Sequence, residues 1–451
     1  MFNKAQIFDL IAKALSYTTD HQAQVQVTSS SEGLSRIANS EIHQNVFEDR
    51  TTLTVTVYTS HKASSISTNI LDDISIREAV DQAIANLDLL PDGEEQPPLV
   101  SEPQQMETLL FNSELHSSFS VQARAKLVAE GLQSITSPYT AYGQLSYRAQ
   151  ATGMGNSRGI RRYSDGNQVR FSLLVADDQG GAGYASMMAN SLSEVDLESV
   201  FAIALQKAKV NRNPIDLEPG AYTVILEPLA VSNLLGMMMR SFSGAAVLAK
   251  QSFLTDRMGE HFFSEKLNAC DDWTSPFCPG IAFDSEGTPR TRLNLIENGV
   301  VKEIAYDLSS ASKSGMQSTG HAAAFMGRRG SSPQNVIISG GDKPMEQIIA
   351  ETDKALLVTR FHYMNPVNMR QGILTGITRD GFYLIENGQI THAVRNMRFT
   401  ESILLALSNI EEISSDRERV GAMMGSSYLP GMKIRDFHFT GRTSFGDTPG
   451  E

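Results

Sequence analysis

The side chains best suited to chemistry lie in two short stretches of the second half of the chain. His321 stands among small residues in the run Ser-Thr-Gly-His-Ala-Ala-Ala, which leaves room for a ligand or another backbone to approach closely. Asp284 and Glu286 lie two residues apart near a predicted strand end, a spacing that suits acid–base catalysis. A structural interpretation stays open for both stretches, because lone histidines are commonly structural and closely spaced carboxylates are typical of solvated turns.

The standard catalytic motifs are absent from the sequence. It contains no His-Glu-x-x-His pair, no Gly-x-Ser-x-Gly elbow and no Walker A loop. Residues 153–159 are rich in glycine, but their spacing is one residue too long for a dinucleotide fingerprint, and we expect a bulge or loop there. The methionines at 237–239 lie in an apolar helical pattern, which favours helix core over a flexible peptide groove. The two cysteines, Cys270 and Cys278, fit neither a zinc ribbon nor a disulfide framework.

Hydrophobic periodicity predicts the elements that position these residues. Apolar residues at positions 7, 10, 11, 14 and 15 recur at helical spacing and predict an N-terminal helix. Apolar residues alternate with polar ones at 23–27 and at 53–57, which indicates two half-buried strands. A second helix is predicted to begin at Ser75, which forms a capping box with Glu78.

Proline and glycine mark the boundaries along the chain. Residues 91–105 contain four prolines, so we expect a linker there between an N-terminal α/β subdomain at 1–90 and a second α/β subdomain at 106–210. The Pro/Gly-rich run at 211–220 is the most persuasive domain boundary in the chain, and a strand-rich domain is predicted to follow it at 221–451.

Two-residue turn signals lie at Asp165-Gly166, Asn298-Gly299 and Asn387-Gly388, and each predicts a β-hairpin. The two Asn-Gly segments resemble one another, so two independent hairpins and an internal duplication both stay open, the former being the commoner origin. Helices interrupt the C-terminal strands without strict alternation. This pattern favours an α+β fold over a doubly wound parallel sheet.

Composition and charge exclude several classes of protein. The 451 residues are 41% hydrophobic and 20% charged, which is typical of globular domains. Lys and Arg number 38 against 51 Asp and Glu, and the net charge of −13 opposes direct binding of nucleic acid or of anionic membranes. No apolar run approaches the length of about 18 residues that crosses a bilayer, and the first residues predict an amphipathic helix rather than a signal peptide. We therefore expect a soluble, cytoplasmic protein that does not associate with membranes.

Four short segments, in order along the chain, resemble the TldD/PmbA family, the so-called modulators of DNA gyrase. They are Ser-Arg-Ile-Ala-Asn-Ser-Glu-Ile-His-Gln at 35–44, Phe-Asp-Ser-Glu-Gly-Thr-Pro at 283–289, Leu-Ile-Glu-Asn-Gly at 295–299 and Lys-Ser-Gly-Met-Gln-Ser-Thr-Gly-His-Ala at 313–322. The resemblance implies an α/β N-terminal region followed by a strand-rich C-terminal domain with a curved, barrel-like sheet. It also implies proteolysis of small or unfolded peptides in the bacterial cytoplasm.

In the active branch of this family, a His-Glu-x-x-x-His motif on a helix and a cysteine near the C-terminus hold zinc, and the glutamate deprotonates water. A strand followed by Pro228 fits the lead-in to this motif. The first histidine then corresponds to Gly236, the glutamate to Met237 and the second histidine to Ser241. The cysteine is expected near 423–427, where the sequence is Met-Met-Gly-Ser-Ser. The chain thus resembles the PmbA/TldE-like branch without the zinc motif, and we expect no metal, no cofactor and no peptidase activity of the chain alone.

The resemblance implies the non-metal subunit of a peptidase complex, a homodimer or a heterodimer with a His-Glu-x-x-x-His paralogue, that grips an extended peptide substrate. The candidates for lining the substrate cleft are Asp284, Glu286, Thr319, Gly320 and His321. A stand-alone peptide-binding or regulatory homodimer is the alternative. A third hypothesis is an enzyme of unrelated mechanism with His321 and Asp284 as its acid–base pair. Direct modulation of gyrase or DNA is the weakest hypothesis, because the net charge opposes it.

Overall fold

The computed structural model describes residues 1–325, 328–421 and 425–443. The first sheet has seven strands in the order β3-β2-β1-β5-β6-β4, and β7 also pairs with β6. Its strands are β1 (Gln22–Ala38), β2 (Glu41–Tyr58), β3 (Ala63–Thr68), β4 (Gln105–Leu110), β5 (Thr140–Asn156), β6 (Arg161–Ala176) and β7 (Ala182–Ala189). Strand β1 pairs with β5 in antiparallel register from Gln24 opposite Asn156 to Ile37 opposite Gly143. The predicted subdomains at 1–90 and 106–210 therefore contribute to one sheet, and residues 91–105 connect its two parts.

Helices cover one face of this sheet. They are α1 (Lys4–Tyr17), α2 (Asp73–Leu89), α3 (Ser113–Ser118), α4 (Val121–Leu132) and α5 (Leu197–Val210), with a 3₁₀ turn at Leu192–Glu194. The predicted N-terminal helix is confirmed, and Ile7, Ile11 and Ala14 form its buried side. Helix α2 begins earlier than predicted because the side chain of Asp72, not that of Ser75, caps it by accepting a hydrogen bond from the Ser75 amide.

The opposite face of the sheet is polar. Along β5, Leu145 and Tyr147 are buried under the helices, and the alternating residues Gln144 and Arg148 are exposed on the helix-free side. The predicted turn at Asp165-Gly166 is wrong, since both residues lie inside β6, where they pair with β4 and β5. The chain reverses instead at residues 157–160, where Gly159 adopts a φ of +89°.

The second sheet has eleven strands. They are β8 (Gly220–Leu226), β9 (Ala269–Asp271), β10 (Leu293–Glu297), β11 (Val300–Val301), β14 (Val336–Ile338), β15 (Lys354–Asn368), β16 (Ile373–Glu386), β17 (Gln389–Ala393), β18 (Met397–Ser402), β19 (Ile410–Gly421) and β20 (Ser426–Arg442), while β12 (Ala322–Phe325) and β13 (Arg328–Ser331) form a separate pair. Strands β8, β15, β16, β18 and β20 close on themselves because β20 pairs with β8. This closed barrel confirms the predicted α+β fold with a curved, barrel-like C-terminal sheet.

Short helices cover the barrel and its extension. They are α6 (Pro228–Met238), α7 (Gly244–Leu248), α8 (Leu308–Ser314), α9 (Met345–Ala350) and α10 (Ile403–Ser408), with a 3₁₀ turn at Met239–Ser241. Both predicted Asn-Gly turns are confirmed, and the first joins β10 to β11 with a φ of +48° at Asn298 and +76° at Gly299. Among the helices of the described residues, none combines the length and the apolarity needed to cross a bilayer.

The two halves meet where the segment at 281–289 lies on the helix-free face of the first sheet. Arg162 of β6 is 0% exposed, and its guanidinium donates to the carbonyl oxygen of Gly287 at 2.9 Å and of Pro103 at 2.5 Å. Gln24 of β1 donates to the Ser285 carbonyl at 3.0 Å. A buried guanidinium with carbonyl partners from two segments thus ties the two halves together.

Replacing Arg162 by Met is expected to destabilise the chain by about 2–4 kcal/mol, because the apolar side chain leaves buried carbonyl groups without a donor. Chemical denaturation followed by circular dichroism measures the change. Arg50→Met is the matched control, since Arg50 is exposed and forms a surface ion pair with the exposed Glu48 at 2.7 Å. Its effect should stay below about 0.5 kcal/mol. Equal stability of the Arg162→Met chain and the unchanged chain would contradict this account.

Candidate functional site

Helix α6 lies where the family resemblance places the zinc motif. It follows β8 directly and begins with Pro228. Gly236 offers no side chain and has open space around its Cα, since an added Cβ would meet nothing within 4 Å. Met237 packs against the core, and Ser241 lies in the 3₁₀ turn with its hydroxyl buried and unpaired among the described residues.

These residues do not fit a zinc ion. Tetrahedral zinc sites in proteins are built from imidazole, thiolate and carboxylate ligands, and positions 236, 237 and 241 supply none of them. Within residues 1–325, 328–421 and 425–443, no group of three or more His, Cys, Asp or Glu side chains is placed to hold a metal. Met423 and Met424, at the expected cysteine position, lie outside the described residues.

His321 is at the centre of a buried polar cluster rather than on an open surface. Its side chain is 0% exposed. Its Nδ1 lies 2.8 Å from the carbonyl oxygen and 3.0 Å from the hydroxyl of Thr319, and its Nε2 lies 3.4 Å from Oδ1 of Asp271. In this single chain, a peptide therefore cannot reach the imidazole without a rearrangement.

Asp271 links His321 to the rest of the cluster. Its carboxylate accepts from Nη2 of Arg290 at 2.6 Å and from the backbone amides of Gln334 and Asn335. Burial opposes the charge of Asp271, but the interaction with His321 and the positive charge of Arg290 outweigh it, so the pKa of this carboxyl lies below its ordinary value. The other terminal nitrogen of the Arg290 guanidinium, Nη1, donates to the side-chain oxygen of Asn335 at 2.7 Å.

Asp284 holds the segment at 281–289 in shape. Its carboxylate accepts from the amides of Glu286 and Thr288, each at 2.9 Å, and from the amide of Ala322 at 2.8 Å. Burial nevertheless raises the pKa of Asp284 above its ordinary value. Because the Ala322 amide directly follows His321, the structure does bring Asp284 and His321 close together, with the carboxylate fully used by the backbone.

The other predicted site residues separate into two environments. Glu286 lines a cavity of about 610 Å³ between the two halves, beside Gln24 and Lys313, and it also accepts from the Leu308 amide at 2.9 Å. Thr319 accepts from the Tyr306 amide at 2.8 Å. Gly320 has a φ of +71°, and a Cβ there would lie 2.2 Å from the Pro289 carbonyl oxygen. The small residue at 320 thus serves close backbone packing.

A second cavity of about 480 Å³, which we call the interdomain cleft, lies on the other side of the segment at 281–289. Arg148, Gln150 and Arg170 line it from the first sheet, and Ile281, Arg290 and Asn335 line it from the C-terminal half. None of these six was a predicted site residue. The strand alternation around Arg148 and Arg170 was a usable signal for a shared polar face, whereas residues 271, 290 and 335 carry no motif that links them.

Replacing Asp271 by Asn is expected to destabilise the chain by about 3 kcal/mol at neutral pH, because it leaves Arg290 buried without its counter-ion. Since the pKa of Asp271 is lower in the folded than in the unfolded chain, the stabilisation is complete above the ordinary aspartate pKa of about 4. It is lost as the pH falls through the folded-state pKa. Denaturant titrations from neutral to acidic pH measure the difference in unfolding free energy between the unchanged chain and Asp271→Asn, which should narrow as the pH falls. Asp272→Asn, which affects an ion pair with the exposed Arg292, is the control, and an equal loss in both variants would refute the prediction.

Comparisons with known proteins agree with the architecture. Residues 219–441 match the family model described as the PmbA/TldA metallopeptidase C-terminal domain. The chain is 28% identical over 294 residues to metalloprotease PmbA of Escherichia coli O157:H7. The aligned region covers 62% of this chain and 61% of that protein. It is 30% identical over 173 residues to a metalloprotease TldD homologue of Buchnera aphidicola. That aligned region covers 37% of this chain and 34% of the homologue. The matched region thus spans about three fifths or less of these curated relatives.

Two solved structures share the fold over nearly the whole chain. TldE of Thermococcus kodakarensis superposes with a TM-score of 0.86 at 20% identity, covering 96% of this chain and 99% of that one. A protein of Thermotoga maritima named a putative modulator of a DNA gyrase superposes with a TM-score of 0.80 at 20% identity, covering 97% of this chain and 100% of that one. The family-model match and the curated relatives place the chain in the TldD/PmbA family, and the superpositions show that it shares the fold of these two structures.

Proposed function

We propose that this chain is the non-metal subunit of a TldD/PmbA-type metallopeptidase complex that processes or degrades small or unfolded peptides. The observation that carries the proposal is helix α6. It keeps its place between β8 and the barrel core, but the helix and the 3₁₀ turn after it carry Gly236, Met237 and Ser241 where the family's ligands and base are expected. A chain that keeps the fold but lacks the metal ligands can still bind a peptide substrate and form part of its cleft.

The relatives support the peptide-processing part of the proposal. The curated relatives are named metalloproteases, and the fold matches a structure named TldE. We assign this chain no step of hydrolysis, because Gly236, Met237 and Ser241 supply neither the zinc ligands nor the general base of the family motif. The metal and the base belong to a His-Glu-x-x-x-His paralogue, and this chain supplies binding and orientation of the substrate.

The end of strand β15 supports association with a second chain. Beyond its pairing with β8 at residues 356–358, β15 carries Tyr363 and Val367, which are 61% and 59% exposed. Large exposed apolar side chains grouped on one strand favour an interaction surface. A heterodimer with the paralogue, or a homodimer, would cover this surface. The net charge of −13 keeps nucleic acid an unfavourable partner, and the cytoplasm remains the proposed location.

A stand-alone peptide-binding or regulatory homodimer is the second candidate. It is favoured by the interdomain cleft, which one chain forms entirely by itself. The hypothesis of an unrelated enzyme with His321 and Asp284 as its acid–base pair loses support, because both side chains are buried and the Asp284 carboxylate is occupied by three amides.

A mixing experiment tests the proposal. The chain alone, with added zinc, is expected to leave an unfolded peptide intact, because positions 236, 237 and 241 lack the metal ligands and the base that would supply the large rate enhancement of peptide hydrolysis. Added to a His-Glu-x-x-x-His paralogue from the same organism, it is expected to raise that protein's cleavage rate by about tenfold or more, which corresponds to about 1.4 kcal/mol. Quantitative mass spectrometry of the peptide products measures both rates.

Val367→Ser should weaken the stimulation, whereas Ile74→Ser, at a residue that is 71% exposed on α2 in the N-terminal half, should not. Peptide binding by the chain without any effect on the paralogue would leave the stand-alone binding protein as the better account. Hydrolysis by the isolated chain would contradict both.

A further inference from the structure

Two arginines project into the interdomain cleft from neighbouring strands. In the antiparallel register, Arg148 of β5 lies opposite Gln168, and Ser146 lies opposite Arg170 of β6. Arg148 and Arg170 are therefore diagonal neighbours on the helix-free face, at a separation where long side chains still interact. Two positive charges at this spacing repel each other, which is unfavourable unless something negative lies between or beside them.

The charges around the cleft are unusual for this protein. The chain as a whole carries a net charge of −13, but its cleft is lined by Arg148, Arg170 and Arg290. The acidic residue in the lining, Asp165, uses one carboxylate oxygen to accept from the amides of Leu110 and Phe111. Strand alternation places the Asp165 side chain on the helix-covered face, opposite to that of Arg170. The local excess of positive charge is thus left facing the cleft.

Arg170 differs from the other two arginines in its partners. Arg290 is neutralised by Asp271, and Arg148 lies 3.1 Å from Glu32. Arg170 donates to the neutral amide oxygen of Gln168 at 2.7 Å, and within the described ranges of the chain it has no carboxylate partner. Partial burial and the charge of Arg148 lower its pKa below the ordinary value, but a guanidinium stays protonated at neutral pH.

The position of the Arg170 guanidinium fits a ligand held between the two halves. It reaches from the first sheet to β19 of the second, since a Cβ added at Gly421 would lie 3.3 Å from its Nη1. The facing wall offers the half-buried neutral side chain of Gln334. A guanidinium that faces a neutral amide is suited to a carboxylate attached to a polypeptide, because it gives a charge-assisted anchor and leaves a partner for a peptide group.

We propose that the interdomain cleft binds a carboxylate of an extended peptide, with Arg170 as its main partner and Arg148 beside it. This inference rests on the proposed function, because it takes a peptide as the ligand. The carboxylate comes either from the C-terminus of the peptide or from an acidic side chain. Both sources offer the same planar group to the guanidinium.

Three labelled peptides test the assignment by fluorescence anisotropy with the full chain. The first is an unstructured peptide without Asp or Glu that has a free C-terminus. The second is its C-terminal amide, and the third is the amide with one internal Glu. The unchanged chain is expected to bind the free acid at least about fivefold more tightly than the amide. Recovery of tight binding by the third peptide identifies a side-chain carboxylate as a second source, and its absence restricts the site to the C-terminal carboxylate.

Arg170→Gln should abolish the preference, and Arg170→Lys should retain part of it. Arg36→Gln is the matched control, because Arg36 is an exposed arginine on the same helix-free face, away from the cleft, and it should keep the full preference. Thermal unfolding of each variant confirms that the fold is intact. Equal affinity of the unchanged chain for the free acid and the amide, absence of binding to any of the peptides, or a preference that survives Arg170→Gln would overturn the inference. The stimulation of the paralogue is measured separately, so each of these outcomes leaves the proposed subunit role standing.

Discussion

The contact between Arg162 and the segment at 281–289 is the interaction on which the rest of the structure depends. The first sheet presents a polar, helix-free face, and such a face does not bury itself against another domain by hydrophobic contact alone. A buried guanidinium with carbonyl partners solves this problem, because it satisfies the backbone of the docked segment as it is removed from water. Within the segment, the Asp284 carboxylate likewise satisfies backbone groups, because it accepts hydrogen bonds from the amides of Glu286 and Thr288. The two halves are thus joined through satisfied polar groups.

This docking also creates the two cavities. The segment at 281–289 stands between them, with Glu286 facing one and Ile281 facing the other. Behind the interdomain cleft, Arg290 belongs both to the cleft wall and to the buried cluster with Asp271. The buried cluster therefore supports one wall of the cleft. Arg170, which has no carboxylate partner among the described residues, lies on the opposite wall. In this arrangement the buried imidazole of His321 lies behind the cleft wall, where its Nε2 is 3.4 Å from Oδ1 of Asp271.

Features that depend on residues close together in sequence were predicted correctly. The spacing of apolar residues predicted the buried face of α1, and the preference of Asn-Gly for positive φ predicted the turns at 298–299 and 387–388. The turn predicted at Asp165-Gly166 failed because pairing with β4 and β5 holds these residues in an extended strand, and this pairing joins segments far apart in sequence. The closed barrel was expected from family resemblance, not from periodicity.

Part of the candidate site could not be predicted from the sequence, for a related reason. The small residues around His321 predicted room for a ligand or for another backbone, and the Pro289 carbonyl occupies the space beside Gly320. The cluster of Asp271, Arg290 and Asn335 assembles residues from three separate segments, so no spacing along the chain could reveal it. A lone arginine such as Arg170 becomes notable only when its neighbours in space are known to lack a carboxylate.

The central claim is that this chain acts as the partner of a metal-binding paralogue, and native mass spectrometry tests it most directly. The chain is co-expressed with its His-Glu-x-x-x-His paralogue and analysed without separating the two. The account predicts a predominant species that contains both chains in equal numbers, with zinc only in the paralogue when the subunits are dissociated. Separate assemblies of each chain, with no mixed species at micromolar concentration, would contradict it.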